Sequence, residues 1–306
     1  MGCDIHMYVE KKNPVTHNWD KMGNVFFQSY GASLIVRHLV TNMGITEDEG
    51  WTILQKWRDG EEPSNKLEEY IIGSYIPKNI EFGNNIAYAH ITGNNTIYGT
   101  EYHNWPNVSD EVPLVCDMSS NIMDKVIDFN KFGVIYAGAQ KNIGPAGVTL
   151  VIVRDDLLER VPEKTPTMQK WKTHSDKDSL FNTAPCWAIY MCKLSLEYLK
   201  QKGGISNIEK INRKKAELLY DFIDNSNGFY KGYAMKDSRS LMNVTFNLPT
   251  KDLEEKCVLE GSLKGLLGLK GHRSIGGMRA SIYNAMTIDG VKKLIEFLKE
   301  FQEENQ

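Results

Sequence analysis

The chain has 306 residues, 41% of them hydrophobic and 25% charged, with a net charge of −3. That length allows about two domains and the apolar content can fill a core, while so small a charge imbalance gives no general pull toward nucleic acid or a membrane surface. No run approaches the ~20 continuous apolar residues of a membrane span, and "MGCDIHMYVEKK" is charged too early for a signal peptide, so the cytoplasm is the expected compartment.

Five cysteines (Cys3, Cys116, Cys186, Cys192 and Cys257) form no CxxC pair, and three of them lie in apolar runs. This reads as buried thiols in a reducing compartment rather than a metal site. Alternation at Ile5, Met7 and Val9 predicts a short strand, and Trp51, Leu54 and Trp57 in "EDEGWTILQKWRDG" predict a helix ending at Gly60. The polar stretch "GEEPSN" (60–65) reads as a boundary, and the scattered His6, His17 and His38 read as ordinary surface or core histidines.

From about Tyr75 the pattern becomes α/β. "IAYAHI" (86–91), "VPLVCD" (112–117), "GVIYAG" (133–138) and "VTLVIV" (148–153) predict strands buried on both faces of a parallel or mixed sheet. Ligands in such sheets sit outside the carboxyl ends of strands, so polar residues in "TGNNTIYGTE", "MSSNIMD" and "AQKNIGPAG" carry more weight than others. "CWAIYMCKLSLEYLKQKGG" (186–204) predicts a helix stopped by two glycines. "ISNIEKINRKKAELLYDFID" (205–224) predicts another, with Ile208, Ile211, Leu218, Leu219, Phe222 and Ile223 on one broad face. Strands follow at 241–248 and 278–283, then a last helix from 287 with Thr287 as its N-cap.

In "FGVIYAGAQKNIGPAGVTLVIVR" (132–154) a single lysine, Lys141, sits among small residues between two apolar runs. Burying a cationic lysine costs several kcal/mol unless it is paired or neutralised. Lys141 is therefore a loop lysine facing water, or an amine kept partly uncharged to attack a carbonyl, most commonly that of pyridoxal phosphate. That cofactor needs a carboxylate at its ring nitrogen, polar groups at its phosphate and a base for the substrate's α-proton. Asp117, ending "LVCD", is a carboxylate of this kind or a turn cap. Thr96 and Gln140 are a turn residue and a surface amide, or groups for the cofactor.

"YAGAQKNIGPAGVTLVIVRDDLL" resembles the cofactor-lysine segment of the phosphoserine aminotransferases, class V, fold-type I pyridoxal-phosphate enzymes. "NNTIYGTE", "DMSS", "SLFNTAP", "INRKKAELLYDFID" and "GHRSIGGMRASIYNAM" resemble that family in the same order, so the likeness runs from about Tyr75 to the C-terminus. The resemblance implies an α/β chain: a mixed-sheet cofactor-binding portion over 75–205, a smaller α+β domain over 206–306, and an atypical segment over 1–74. It implies that Lys141 forms the Schiff base and shuttles the proton, and that Asp117 pairs with the pyridine nitrogen. Thr96 is implied near the ring oxygen, and Ser119 and Gln140 at the cofactor phosphate. Asn182 and Thr183 are implied to reach the cofactor phosphate of the other subunit of a homodimer. Arg279 is implied at the substrate's α-carboxylate, with His272 and Arg273, from the partner, at its phosphate. The small residues after Lys141 would let backbone approach the cofactor closely.

The implied reaction moves an amino group between glutamate and 3-phosphohydroxypyruvate, giving 3-phosphoserine and 2-oxoglutarate, a step of serine biosynthesis. The alternative is a non-catalytic remnant of the family that dimerises or binds a ligand. A desulfurase is disfavoured, since no cysteine sits in a flexible polar loop suited to attack sulfur. The family's Gly-rich phosphate turn, ring-stacking tryptophan and His-Arg pair are not found in residues 1–74, and Leu241 stands where a second arginine usually follows Arg239. Cofactor affinity is expected to be lower for it.

Overall fold

The computed structural model describes residues 87–306, Ser274 excepted, together with two three-residue strands near the N-terminus. The strand expected at Ile5, Met7 and Val9, the helix over 47–60, and His6, His17 and His38 lie outside the described residues.

Strands β1 (Glu10–Lys12) and β2 (Trp19–Lys21) pair antiparallel. Next come β3 (Ala89–Thr92) and a small hairpin of β4 (Asn94–Asn95) and β5 (Thr100–Glu101). They are followed by β6 (Leu114–Asp117), β7 (Val134–Gly138) and β8 (Thr149–Val153). β3, β6, β7 and β8 lie side by side in that order, the first three parallel and β8 antiparallel. This is the expected mixed sheet. Residues alternate between its faces. Ala89, Ile91, Leu114, Cys116, Ile135 and Ala137 bury one face against Met118, Ile122 and Phe132. His90, Val115, Asp117, Tyr136 and Gly138 are half-buried on the other. The expectation of burial on both faces fails for β8, where Val151 and Ile152 are exposed. Among the described residues β8 ends the sheet, so side chains there have a described neighbouring strand on one side only.

After the short helix α1 (Trp171–Ser175), α2 (Cys186–Gln201) buries only Ala188 and Cys192 and leaves Trp187 68% exposed. Gly203 and Gly204, both at positive φ, stop it as expected. Helix α3 (Gly204–Asp224), β9 (Lys231–Gly232), β10 (Asn243–Asn247), α4 (Lys251–Leu263), β11 (Met278–Ser281) and α5 (Ile288–Asn305) build the second layer. Its antiparallel sheet runs β11–β10–β9, and α3 packs with α5. Ile208, Leu219 and Ile223 of α3 are buried as predicted. Asn212 and Lys215, on the same helix, are buried too, which apolar periodicity did not show. Thr287 caps α5 by accepting from the Gly290 N–H at 3.0 Å. Helix α4 was not anticipated, although Thr250 caps it and Gly265 follows it in the left-handed region.

Polar contacts stitch the two layers. The ammonium of Lys125 pairs with the buried Glu101, whose Oε2 also accepts from the Leu241 N–H at 2.9 Å. Asn142 Oδ1 accepts from the Asn284 N–H at 3.0 Å, and Asn212 Nδ2 donates at 2.9 Å to both Asp124 O and Asn284 Oδ1. Buried polar groups satisfied in this way fix one arrangement. The residue beside Lys141 is thus tied to the segment leaving β11.

Candidate active site

Lys141 lies in the loop leaving the carboxyl end of β7. That loop coils into a turn, Ile143 and Gly144 N–H both donating to Ala139 O at 3.1 and 2.8 Å. Two glycines here also shape the packing of the loop. A Cβ on Gly144 would stand 2.7 Å from Cys192 Sγ of α2, so the glycine lets that helix pack on the loop. Gly147 has φ +108, which only glycine adopts readily.

The Lys141 amine is half-buried and donates to Thr96 Oγ1 at 3.1 Å. Burial lowers its pKa, the charge of Arg279 lowers it further, and Asp117 opposes both. The net shift is downward from 10.5, toward the neutral amine a nucleophile requires. Asp117 ends β6, one strand away. Its Oδ1 accepts from the Ser119 N–H at 2.8 Å, and its charge, after burial, raises the pKa of Tyr136. Tyr136 lies directly opposite Asp117 in the β6–β7 register, and His90 Nε2 is 3.0 Å from the Tyr136 hydroxyl.

Ser119 Oγ accepts from the Gly138 N–H at 3.1 Å. The Gln140 amide lies over Gly138, where a Cβ would meet its Oε1 at 2.6 Å. Ser119, Gly138 and Gln140 thus cluster at the strand ends beside Asp117. Thr96 sits in the turn between β4 and β5, which Asn95 shapes by accepting from the Ile97 and Tyr98 N–H groups at 3.0 and 3.2 Å. The turn presses on β10 through Gly99, whose φ is +69 and where a Cβ would lie 2.5 Å from Thr245 Oγ1.

Arg279 enters from β11. Its Nη1 approaches Thr96 O at 3.4 Å, and its Nε is buried without a hydrogen-bond partner. His272, in the loop before β11, is half-buried, and its pKa is lowered by burial and by the cations Arg279 and Arg273. Arg273 is exposed. Gly271 N–H donates to Gly277 O at 2.8 Å, and a Cβ on Gly271 would lie 2.0 Å from Gly276 O, so this loop is drawn in tightly. The structure therefore brings Lys141, Asp117, Thr96, Ser119, Gln140 and Arg279 toward one end of the sheet, with His272 near Arg279. It does not bring Asn182 and Thr183 there. Both are exposed on the segment before α2, where Asn182 Nδ2 donates to Thr183 O at 3.2 Å.

Sequence reasoning missed Tyr136, His90 and Tyr283. The Tyr283 hydroxyl accepts from Asn243 Nδ2 at 3.1 Å. For Tyr136 and His90 the available signal was strand alternation, which puts both on the face of Asp117. Arg239 is used elsewhere: it pairs with Asp224 through two nitrogens and lies 4.4 Å over the Tyr220 ring, while Leu241 is buried.

A half-buried amine of lowered pKa, a carboxylate one strand away and a half-buried guanidinium make a site for amine–carbonyl chemistry on an anionic substrate. The chain belongs to the aminotransferase class-V family, whose model matches residues 73–294. It is 54% identical over 232 residues to a phosphoserine aminotransferase of Desulfatibacillum aliphaticivorans, covering 76% of this chain and 64% of that protein. The solved phosphoserine aminotransferase of Bacillus circulans subsp. alkalophilus matches with a TM-score of 0.72 at 46% identity, over 74% of this chain and 62% of the other. A pyridoxal-phosphate-bound phosphoserine aminotransferase from Trichomonas vaginalis matches with a TM-score of 0.68 at 35% identity, covering 71% and 61%. This chain thus spans somewhat less than two thirds of the length of these relatives.

Proposed function

We propose that the chain is a pyridoxal-phosphate-dependent phosphoserine aminotransferase. It exchanges the amino group of glutamate for the oxo group of 3-phosphohydroxypyruvate, giving 2-oxoglutarate and 3-phosphoserine. The observation that carries this reading is Lys141: an amine whose basicity is lowered by burial and by Arg279, in the electrostatic reach of Asp117. The same geometry favours an enzyme over a non-catalytic remnant. The donors present suit the cofactor, and the unpartnered Arg279 Nε suits an anion beside it.

Pyridoxal phosphate supplies an aldehyde that an amine can bond and a ring that takes up an electron pair. Lys141 Nζ would hold the cofactor through that aldehyde and, as an amine of lowered basicity, would move the proton at the substrate's α-carbon. Asp117 holds the proton of the ring nitrogen. Thr96 orients Lys141 and the ring oxygen. Ser119 and Gln140 hold the cofactor phosphate, and Asn182 and Thr183 serve that of the other subunit in a homodimer. Arg279 takes the substrate carboxylate, and His272 and Arg273 serve the substrate phosphate in the partner's site. We assign the cofactor-binding portion to 75–205 and the smaller domain to 206–306, in keeping with two separate buried clusters. The exposed face of α2 around Trp187 and Tyr190 is in keeping with a subunit contact. The buried thiols of Cys116, Cys192 and Cys257 fit a reducing cytoplasm.

Following 2-oxoglutarate formation from glutamate and 3-phosphohydroxypyruvate, with pyridoxal phosphate present, tests this. The expected result is turnover that needs both substrates and is absent in Lys141→Ala. No turnover by the unaltered chain at saturating cofactor would contradict it.

A further inference from the structure

The chain leaves Asp117 through a turn, residues 118–124, whose far end meets asparagine side chains from three other segments. Asn142 Nδ2 donates to Ile122 O, Asn284 Nδ2 to Met123 O and Asn212 Nδ2 to Asp124 O, each at 2.9 Å. Successive carbonyls are thus held by different amides. A carbonyl only accepts, so each amide turns its nitrogen to the loop and keeps its oxygen for a donor elsewhere. Asn142 Oδ1 takes the Asn284 N–H at 3.0 Å, and Asn284 Oδ1 takes Asn212 Nδ2 at 2.9 Å. The amides therefore bind one another as well as the turn. Asn212 is completely buried and its Oδ1 finds no partner among the described residues. That costs stability, whereas its NH2 group is used twice.

The turn they hold is not a relaxed one. Met123 has φ +61, a left-handed backbone that its Cβ disfavours. Such a residue persists only where its surroundings over-determine it. Here the carbonyl of Met123 and those on either side of it are all pinned.

Each member of this cluster adjoins a residue of the candidate site. The turn follows Asp117 and contains Ser119. Asn142 follows Lys141. Asn284 lies just past β11, the strand of Arg279. Lys215, one turn along α3 from Asn212, donates to Ile282 O and Tyr283 O, so that helix holds the same exit segment a second time. β6 and β7 are neighbours in one sheet, but β11 belongs to the other. No strand ladder sets Arg279 against Lys141 and Asp117, so side-chain bonds must.

We infer that Asn142, Asn212 and Asn284 are positioning residues, a clamp of amides that sets Asp117, Lys141 and Arg279 at fixed separations. This rests on the function proposed above. Displacing reacting groups by about an ångström can cost on the order of a hundredfold in rate. Loosening the clamp therefore acts on turnover more than on substrate affinity.

The full chain, Asn284→Ala and Asn212→Ala are compared with Tyr230→Phe, which removes a buried hydrogen bond to Leu298 O that involves none of these segments. The first readout needs no cofactor: amide hydrogen exchange over 118–125, followed by mass spectrometry. Exchange there is expected to quicken about three- to tenfold in the asparagine variants, as for the loss of one hydrogen bond, and to stay unchanged in Tyr230→Phe. The second is glutamate turnover at saturating pyridoxal phosphate. In the asparagine variants kcat is expected to fall about tenfold or more, with KM within about threefold of the unaltered value. Tyr230→Phe should keep both constants. Should Asn212→Ala fail to fold, Asn284→Ala, at a half-buried position, carries both readouts. Unchanged exchange over 118–125, or a raised KM with kcat intact, would overturn the inference. An unaltered chain without turnover would instead contradict the functional reading, and the exchange comparison would still decide whether the amides hold the turn.

Discussion

At the scale of the residue, the account turns on why Lys141 is a weaker base than an ordinary lysine. Burial disfavours its charge, Arg279 repels it, and Asp117 partly restores it. Arg279 therefore has two effects that one substitution separates. Arg279→Met removes a cation, so the pH above which Lys141 bonds pyridoxal phosphate should rise, as stopped-flow absorbance across pH 7–10 reads directly. The same change removes the partner proposed for the substrate carboxylate, and the KM for glutamate should rise about 10- to 100-fold, for hydrogen bonds to charged groups at ~1.5–3 kcal/mol. An unchanged pH profile would mean that the two cations do not sense each other. These residues were legible in the sequence because motif and strand end coincide there: Lys141, Asp117 and Thr96 all follow apolar runs. Tyr136 and His90 were not, because nothing in a strand's composition says which polar side chain on a shared face will face which.

At the scale of the element, α3 shows what periodicity can and cannot give. Its apolar stripe predicted the buried Ile208, Leu219 and Ile223. Lys215 interrupts that stripe, yet is fully buried, its ammonium donating to Ile282 O at 2.9 Å and Tyr283 O at 2.8 Å. The helix thereby grips the exit of β11, the segment that carries Tyr283. Burial pushes the Lys215 pKa down to about 8 from 10.5. The unfolded chain then holds more protons than the folded one between those values, so this group makes stability rise with pH through that window. Denaturant unfolding at pH 7.5, 9 and 10.5 should show a smaller rise in Lys215→Met than in the unaltered chain. Equal slopes would place the Lys215 proton at its ordinary pKa. Helix α2 is the converse case: its apolar residues were plain in sequence, but not that Trp187 and Tyr190 would face outward, because one helix does not name the surface that covers it.

At the scale of the whole molecule, two buried clusters are held in one arrangement by polar contacts, and the site is made where they meet. Lys141 and Asp117 come from the mixed sheet, and Arg279 comes from β11. Asn142, the residue after Lys141, accepts from the Asn284 N–H, so the seam helps hold the separation of amine and guanidinium. Apart from α4, the order of the main strands and helices could be read from alternating strand and helix patterns, and the mixed sheet with it. The seam could not, since Asn142, Asn212 and Asn284 are far apart in sequence and become partners only on folding. The most direct measurement of the central claim is an absorbance titration of the purified chain with pyridoxal phosphate, beside Lys141→Ala. The account predicts a visible band of lysine-bound cofactor in the unaltered chain, discharged by glutamate and absent from the variant. A band of equal size in Lys141→Ala, or none in the unaltered chain at saturating cofactor, would contradict it.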